Sequence, residues 1–440
     1  MGSLYRAVWR WHFYAGVIVL PVMLWLAATG GLYLYKPEIE NWLYRDWSVV
    51  QPTGQVQPIA AMIASVERQT GAKVTQVSRP AAPNESWRMT LATGEGKRTA
   101  FVDPYRATVL GTASGGGMMA TVRDLHSLAI TGPVGNALIE IVAGWAVVLV
   151  VTGLILWWPR GGSPVLGARG RASGRLFWRD LHGSIGLVAA AVILFLAVTG
   201  MPWSGVAGEW LGSWVDAQGW GRPERPSPGA LAARHEGHEG HNEGPETLPW
   251  SMRHAPVPAG KAGSVTPDLA AERAEWAGQT RPWTMSLPAR PGAPYLVSAV
   301  IVRAQDAHAV YIDAGTGAVL QDARYGEFGG GARAIEWGIA THQGQQYGEP
   351  NRLVMLAGCI AVWLLAITGV IAWWKRRRDG RLRAPPPALD RRRTLGVAGA
   401  MVALGAIFPL TGLTMVAALA GEAGLRFIRP GRGGSSPSRR

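Results

Sequence analysis

The sequence predicts a membrane α-helical bundle of four core transmembrane helices plus a fifth, with two small external α+β domains, built as an internal tandem repeat. Three observations carry this. Long apolar runs recur along the chain, arginine and lysine crowd into two short segments between those runs, and each of two spacings from a histidine to a Thr-Gly pair is used twice.

Crossing a hydrocarbon core of roughly 30 Å takes about 20 residues of helix. Apolar runs of that order appear around 13–35, 134–158, 183–202, 351–374 and 394–419. The first follows basic residues, as a signal peptide does, but its length of about 23 residues exceeds a signal core of about 7–15, so it is expected to be retained.

A formal charge of +14 could suggest a nucleic-acid partner, yet the charge is placed by topology. Arg160, Arg169, Arg171, Arg175 and Arg179 fall in 159–182, and Lys375 to Arg378, Arg381, Arg383 and Arg391 to Arg393 fall in 375–393. The positive-inside rule makes both segments cytoplasmic, together with the N-terminus and its Arg6 and Arg10. The expected place is a bacterial inner membrane, with the lipid bilayer as partner and no nucleic acid. Residues 36–133 and 203–350 then lie outside, in the periplasm. The tail, 420–440, is predicted external and carries Arg426, Arg429, Arg432, Arg439 and Arg440 against that rule.

The single cysteine, Cys359, excludes internal disulfides, a Cys-ligated iron–sulfur cluster and the C-x-x-C-H attachment of c-type haem. No Walker loop or strand-G-x-G-x-x-G-helix unit is visible. Any redox cofactor must be held without thiolates.

Comparing the spans exposes the unit of construction. His12 precedes Thr29-Gly30 by 17 and 18 residues, and His182 precedes Thr199-Gly200 by the same distances. His126 precedes Thr152-Gly153 by 26 and 27 residues and Trp157-Trp158 by 31 and 32; His342 stands at those same distances from Thr368-Gly369 and Trp373-Trp374. Outside, Phe101-Val102-Asp103 with Thr108-Val109-Leu110 matches Tyr311-Ile312-Asp313 with Ala318-Val319-Leu320, each a strand, an Asp-initiated turn and a strand. Ile59–Thr70 has helical spacing and Trp87–Leu91 reads as a strand, with Leu269–Ala277 and Trp283–Leu287 as counterparts. The unit is helix, α+β domain, helix.

On these spans, Thr-Gly pairs and hairpins, residues 6–378 resemble the PepSY-associated transmembrane proteins. The resemblance implies PepSY-like external domains and the activity of an iron-regulated inner-membrane reductase of ferric siderophores, with two b-type haems in the membrane. Some relatives continue into a cytoplasmic flavin reductase domain; here the electron donor is expected to be a separate cytoplasmic one or a quinol.

Topology sorts the four histidines. His12 and His182 fall near the cytoplasmic face, and His126 and His342 near the outer one. Two imidazoles approaching one iron from opposite sides make a bis-His haem site, and helices flanking a porphyrin supply them. Ionisable groups in membrane helices are costly enough to be functional candidates, although any one of the four alone would pass for an interfacial residue. Arg-Asp-Leu-His occurs at 123–126 and 179–182, putting Arg123 and Arg179 one helical turn from their histidines as candidate partners of haem propionates, or as interfacial anchors. The Thr-Gly pairs sit away from their own histidines; their small residues suit helix packing or let a helix approach the porphyrin of the other pair.

His235, His238 and His241 recur every third residue in an external Gly/Glu-rich stretch, 235–242, a weak site for Fe, Zn, Cu or Ni or a solvated loop. Trp203, Trp210, Trp214 and Trp220 follow the third span as an interfacial aromatic belt, or, for the first three, a platform for a bulky chelate. The leading expectation is reduction of periplasmic ferric siderophore. Behind it stand a b-type cytochrome serving a quinone or another metal, a PepSY sensory or binding protein, and a metal permease fed by the His-rich stretch.

Overall fold

Where described, the apolar runs fold as helices. The computed structural model describes residues 3–94, 96–158, 166–221, 248–253, 257–376, 399 and 408–428. The described chain runs α1 (Ser3–Tyr33), α2 (Lys36–Leu43), α3 (Arg45–Ser48), α4 (Ile59–Thr70), β1 (Lys73–Arg79), β2 (Trp87–Thr93), β3 (Gly96–Asp103), β4 (Thr108–Ser114) and α5 (Met118–His126). It continues through α6 (Gly132–Trp157), α7 (Arg175–Thr199), α8 (Val206–Ala217), α9 (Pro267–Trp276), β5 (Trp283–Ser286), β6 (Tyr295–Ala299), β7 (His308–Ile312), β8 (Val319–Arg324), α10 (Gly330–His342), α11 (Glu349–Trp374) and α12 (Pro409–Ile428).

Among the described residues four segments are long and apolar enough to cross a membrane: Tyr5–Tyr33, Ala129–Trp157, Arg175–Trp203 and Glu349–Trp374. The expected fifth span, 394–419, lies largely outside the described residues; its described part is the shorter apolar stretch Pro409–Ala418 of α12. Contacts divide the chain into two units, Met1–Met23 with Ala137–Val198 and Leu364–Arg440, and Leu24–Asn136 with Thr199–Trp363.

The first unit is helical. In it α12 packs on α6 through small and polar side chains: Thr411 Oγ1 donates to the Ile141 carbonyl at 3.3 Å, and Trp145 Nε1 donates to Thr414 Oγ1 at 3.1 Å. Thr411 fills the notch left by Gly144, where a Cβ would stand 2.1 Å from its hydroxyl. Close approach over a glycine, with hydroxyls bonding to carbonyls, is how helices associate where no water drives them together.

The second unit is built on one antiparallel sheet of eight strands, in the order β4-β3-β2-β1-β5-β6-β7-β8. The two segments expected as separate domains thus meet in a single sheet, joined where Val77 pairs with Met285 and Ser78 with Thr284. The two hairpins form as read, with Asp103 opposite Thr108 and Ile312 opposite Val319. Alternation places Trp87, Met89 and Leu91 on one face, and α4 lays Ile59, Met62 and Val66 over it while α9 adds Ala270, Ala271 and Ala274. These share one core with Trp283, Met285, Val310 and Ile312.

Polar groups seal the seam. Pro58, before α4, has no side chain to cap that helix, and the Asp268 carboxylate of α9 accepts from the Ile59 and Ala60 amides at 2.6 and 3.0 Å. Arg79 pairs with Glu275 at 3.0 Å and lies over the rings of Trp87 and Trp283. Because two amides at a helix start would lose their acceptor, Asp268→Ala is expected to cost about 2 kcal/mol, read as a lowered thermal midpoint of the solubilised protein.

Candidate cofactor-binding site

The histidines do not all stand at the starts of spans. His12 and His182 lie within α1 and α7, several residues past their beginnings. His126 and His342 instead close the separate helices α5 and α10. Between each of these and its span the chain turns through left-handed backbone, at Leu128 (φ 51°) and Gly132 (φ 69°) in one case and at Gly344 (φ 71°) and Gly348 (φ 65°) in the other. A continuous helix is therefore replaced by a helix, a turn and a span.

One contact recurs four times. His12 Nδ1 meets Thr152 Oγ1 at 2.9 Å, His126 Nδ1 meets Thr29 Oγ1 at 2.9 Å, His182 Nδ1 meets Thr368 Oγ1 at 3.1 Å, and His342 Nδ1 meets Thr199 Oγ1 at 2.9 Å. The proton can be placed by elimination. Thr29, Thr152 and Thr368 donate their hydroxyl hydrogens to the carbonyls of Trp25, Val148 and Leu364 at 2.7–2.8 Å, so each Oγ1 can only accept from the imidazole. His182 Nδ1 also lies 3.1 Å from the Leu365 carbonyl, a pure acceptor. In His12, His126 and His182 the hydrogen therefore resides on Nδ1, leaving the Nε2 lone pair for a metal.

The glycine beside three of the threonines has its own task. A Cβ on Gly30 would stand 3.0 Å from His126 Cε1, one on Gly153 would stand 3.3 Å from His12 Cε1, and one on Gly369 would stand 3.3 Å from His182 Cε1. Each of these glycines thus makes room for an imidazole presented by another segment. The sequence pointed to the pairs but not to this use of them: Thr29, Thr152, Thr199 and Thr368 are the site residues that sequence reasoning missed. The signal was the fixed Thr-Gly spacing, which was read through the glycine alone.

In the first unit the His12 and His182 rings lie 6.3 Å apart, centroid to centroid, at 86°. One metal ion bonded at about 2 Å to a nitrogen of each ring fits that separation. In the second unit His126 lies close enough to His342 for its charge to oppose protonation there. Burial, the larger cause, with that charge, lowers the His342 pKa to about 3, and burial lowers that of His126 to about 4. Both imidazoles are neutral at physiological pH, as ligation requires. Trp203 presents its ring to His342 at 6.1 Å and 68°.

Among the described residues no cluster of three or more His, Cys, Asp or Glu side chains could hold a metal by itself. A pair of neutral imidazoles supplies two nitrogen donors, a set that would fit a metal carried in a planar macrocycle such as haem. Among the described residues, buried polar atoms without a hydrogen-bond partner agree with an additional polar occupant: Thr341 Oγ1 beside His342, Asn351 Oδ1, whose amide donates to the Thr341 carbonyl, and Trp373 Nε1 in the first unit.

Arg123 and Arg179 each pair with the aspartate that follows them, at 2.9 and 2.6 Å, and Asp180 is also held by Arg169. Trp210 and Trp214 stand exposed on α8, Trp214 in edge contact with Trp220 at 5.4 Å. His235, His238 and His241 lie outside the described residues.

No curated protein matches the chain. A family model does, the PepSY-associated TM region, over residues 9–376 and again over 252–435. With four membrane-length helices and a family model matching most of its length, this multi-pass membrane protein belongs to the PepSY-associated TM region family.

Proposed function

We propose that the protein is a haem-containing reductase of a bacterial inner membrane, passing electrons from the cytoplasmic side to ferric siderophore in the periplasm and releasing Fe(II). The observation that supports the reading is the four-fold Thr–His contact, which holds each of the four histidines by Nδ1 and fits a ligand role for Nε2. We read the chain as a tandem repeat with two PepSY-like domains. This is supported by two sets of four strands, each preceded by a helix, and by the recurrence of the contact in both halves of the chain.

In this reading His12 and His182 hold the cytoplasmic-side haem and His126 and His342 the periplasmic-side one, the orientation resting on the positive-inside rule. Bound haem supplies one-electron chemistry. The threonines hold the imidazoles in one rotation and one tautomer, the glycines admit them, and the apolar spans keep water from the ligand nitrogens. At the periplasmic end one electron converts chelated Fe(III) to Fe(II), and hard oxygen donors then lose most of their hold on the metal. Neither a general acid nor a general base is needed. The electron comes from a cytoplasmic donor or a quinol, and Trp203, Trp210 and Trp214 are the proposed docking surface for the chelate.

The test is the visible spectrum of the purified protein. A Soret band is expected, with b-type bands sharpening after dithionite and decaying anaerobically when ferric siderophore is added. Absence of haem would overturn the reading. Haem that stays reduced with ferric chelates but is oxidised by a quinone would instead make the protein a b-type cytochrome with that acceptor.

A further inference from the structure

Haem carries two propionate side chains, and a carboxylate set down among apolar helices needs hydrogen-bond donors. The two arginines of the Arg-Asp-Leu-His segments, Arg123 and Arg179, are already engaged by aspartates. Among the described residues, two other donors in the first unit have no acceptor. Trp373 Nε1 and Arg6 Nε are both buried from solvent and make no hydrogen bond. Each is a donor only, so what is missing in both cases is an acceptor, and water cannot reach either atom to supply one.

Helix spacing puts Trp373 one turn from the glycine beside His182 and Arg6 within two turns of His12. Gly369 faces the His182 ring, and Trp373 follows it by four residues, one turn farther along the same face of α11. The Trp373 ring meets that of Phe13 at 5.5 Å and 62°, and Phe13 is the neighbour of His12. Arg6 precedes Phe13 by seven residues, two turns of α1, and so shares the face that meets Trp373.

We propose that Trp373 Nε1 and Arg6 Nε donate hydrogen bonds to the propionates of the group held by His12 and His182. The assignment rests on the haem reading above and adds to it the end of the pocket at which the carboxylates lie. It replaces Arg179, whose guanidinium is held by Asp180.

The test uses the full chain, purified with its haem. Trp373→Phe keeps the ring and removes only the N–H; Arg6→Lys keeps the charge that the topology needs and removes Nε; Trp158→Phe, at an exposed indole, is the control. Three quantities are read: haem per chain, the resonance Raman propionate bending band, and the rate of haem transfer to excess apomyoglobin. Trp373→Phe is expected to retain two haems per chain, shift the propionate band of one, and speed its transfer about tenfold, the loss of one charge-assisted hydrogen bond. The control is expected to match wild type. The proposal fails if Trp373→Phe carries two haems and is indistinguishable from wild type in band and rate; if that variant does not accumulate, Arg6→Lys decides by the same two readouts. A wild-type protein without haem overturns the haem reading itself, a distinct result.

Discussion

Replacing His342 by Ala is expected to halve the haem content, from two per chain to one, and to slow reoxidation by ferric chelate by at least about 100-fold. The imidazole it removes is held by Thr199 at 2.9 Å and flanked by Trp203. Losing only an outer-shell partner of a metal ligand costs roughly 10–100-fold, so loss of the ligand sets a larger floor. The surviving haem should keep its spectrum, because His12 and His182 belong to the other unit and have their own partners in Thr152 and Thr368. Pyridine haemochrome stoichiometry with anaerobic stopped-flow reoxidation checks both halves. Two haems remaining in His342→Ala, with reoxidation unchanged, would remove His342 from the site.

The neighbouring glycines of α1 give the second large effect. Gly30→Ala is expected to displace the His126 imidazole and weaken the haem it shares with His342, with roughly tenfold faster haem loss. Gly31→Ala should be near silent. The difference is spatial: a Cβ at position 30 would meet His126 Cε1 at 3.0 Å, closer than carbon atoms pack, while one at position 31 would meet Cys359 and Leu356 at an ordinary 3.7 Å. The His126 ring cannot yield freely, since Thr29 holds its Nδ1 at 2.9 Å. Haem-transfer rates of the two variants, measured side by side, decide the matter. Equal behaviour would mean that the Thr-Gly pair serves helix packing alone.

Much of this was legible in the sequence, for reasons that differ by element. The spans were visible because about 20 consecutive apolar residues have few other uses. The strands and hairpins of the second unit were visible because alternation and an Asp-led turn are local signals, as at Asp103 and Asp313. The single sheet was not, because the pairing of Val77 with Met285 leaves no mark near either residue. The four histidines were found through spacing. Their threonine partners were missed because a hydroxyl at that spacing reads equally well as a packing residue, and only the placement of the Nδ1 hydrogen separates the two roles. The break between His126 and its span was hidden likewise, since Leu128 in a left-handed conformation has no compositional signature.

The seam between β1 and β5 sets a timetable for synthesis. Gln76 and Ser286, bonded across it, stand 210 residues apart. At roughly 5–20 residues per second a ribosome needs on the order of 10–40 s to cover that interval. For that time β1 offers one side of its backbone with its eventual partner not yet made, an open edge of the kind that recruits stray strands. α6 and α7 must be threaded into the bilayer during the same wait. Nascent chains halted between β1 and β5 are therefore the stage at which misassembly and demand for chaperones should peak.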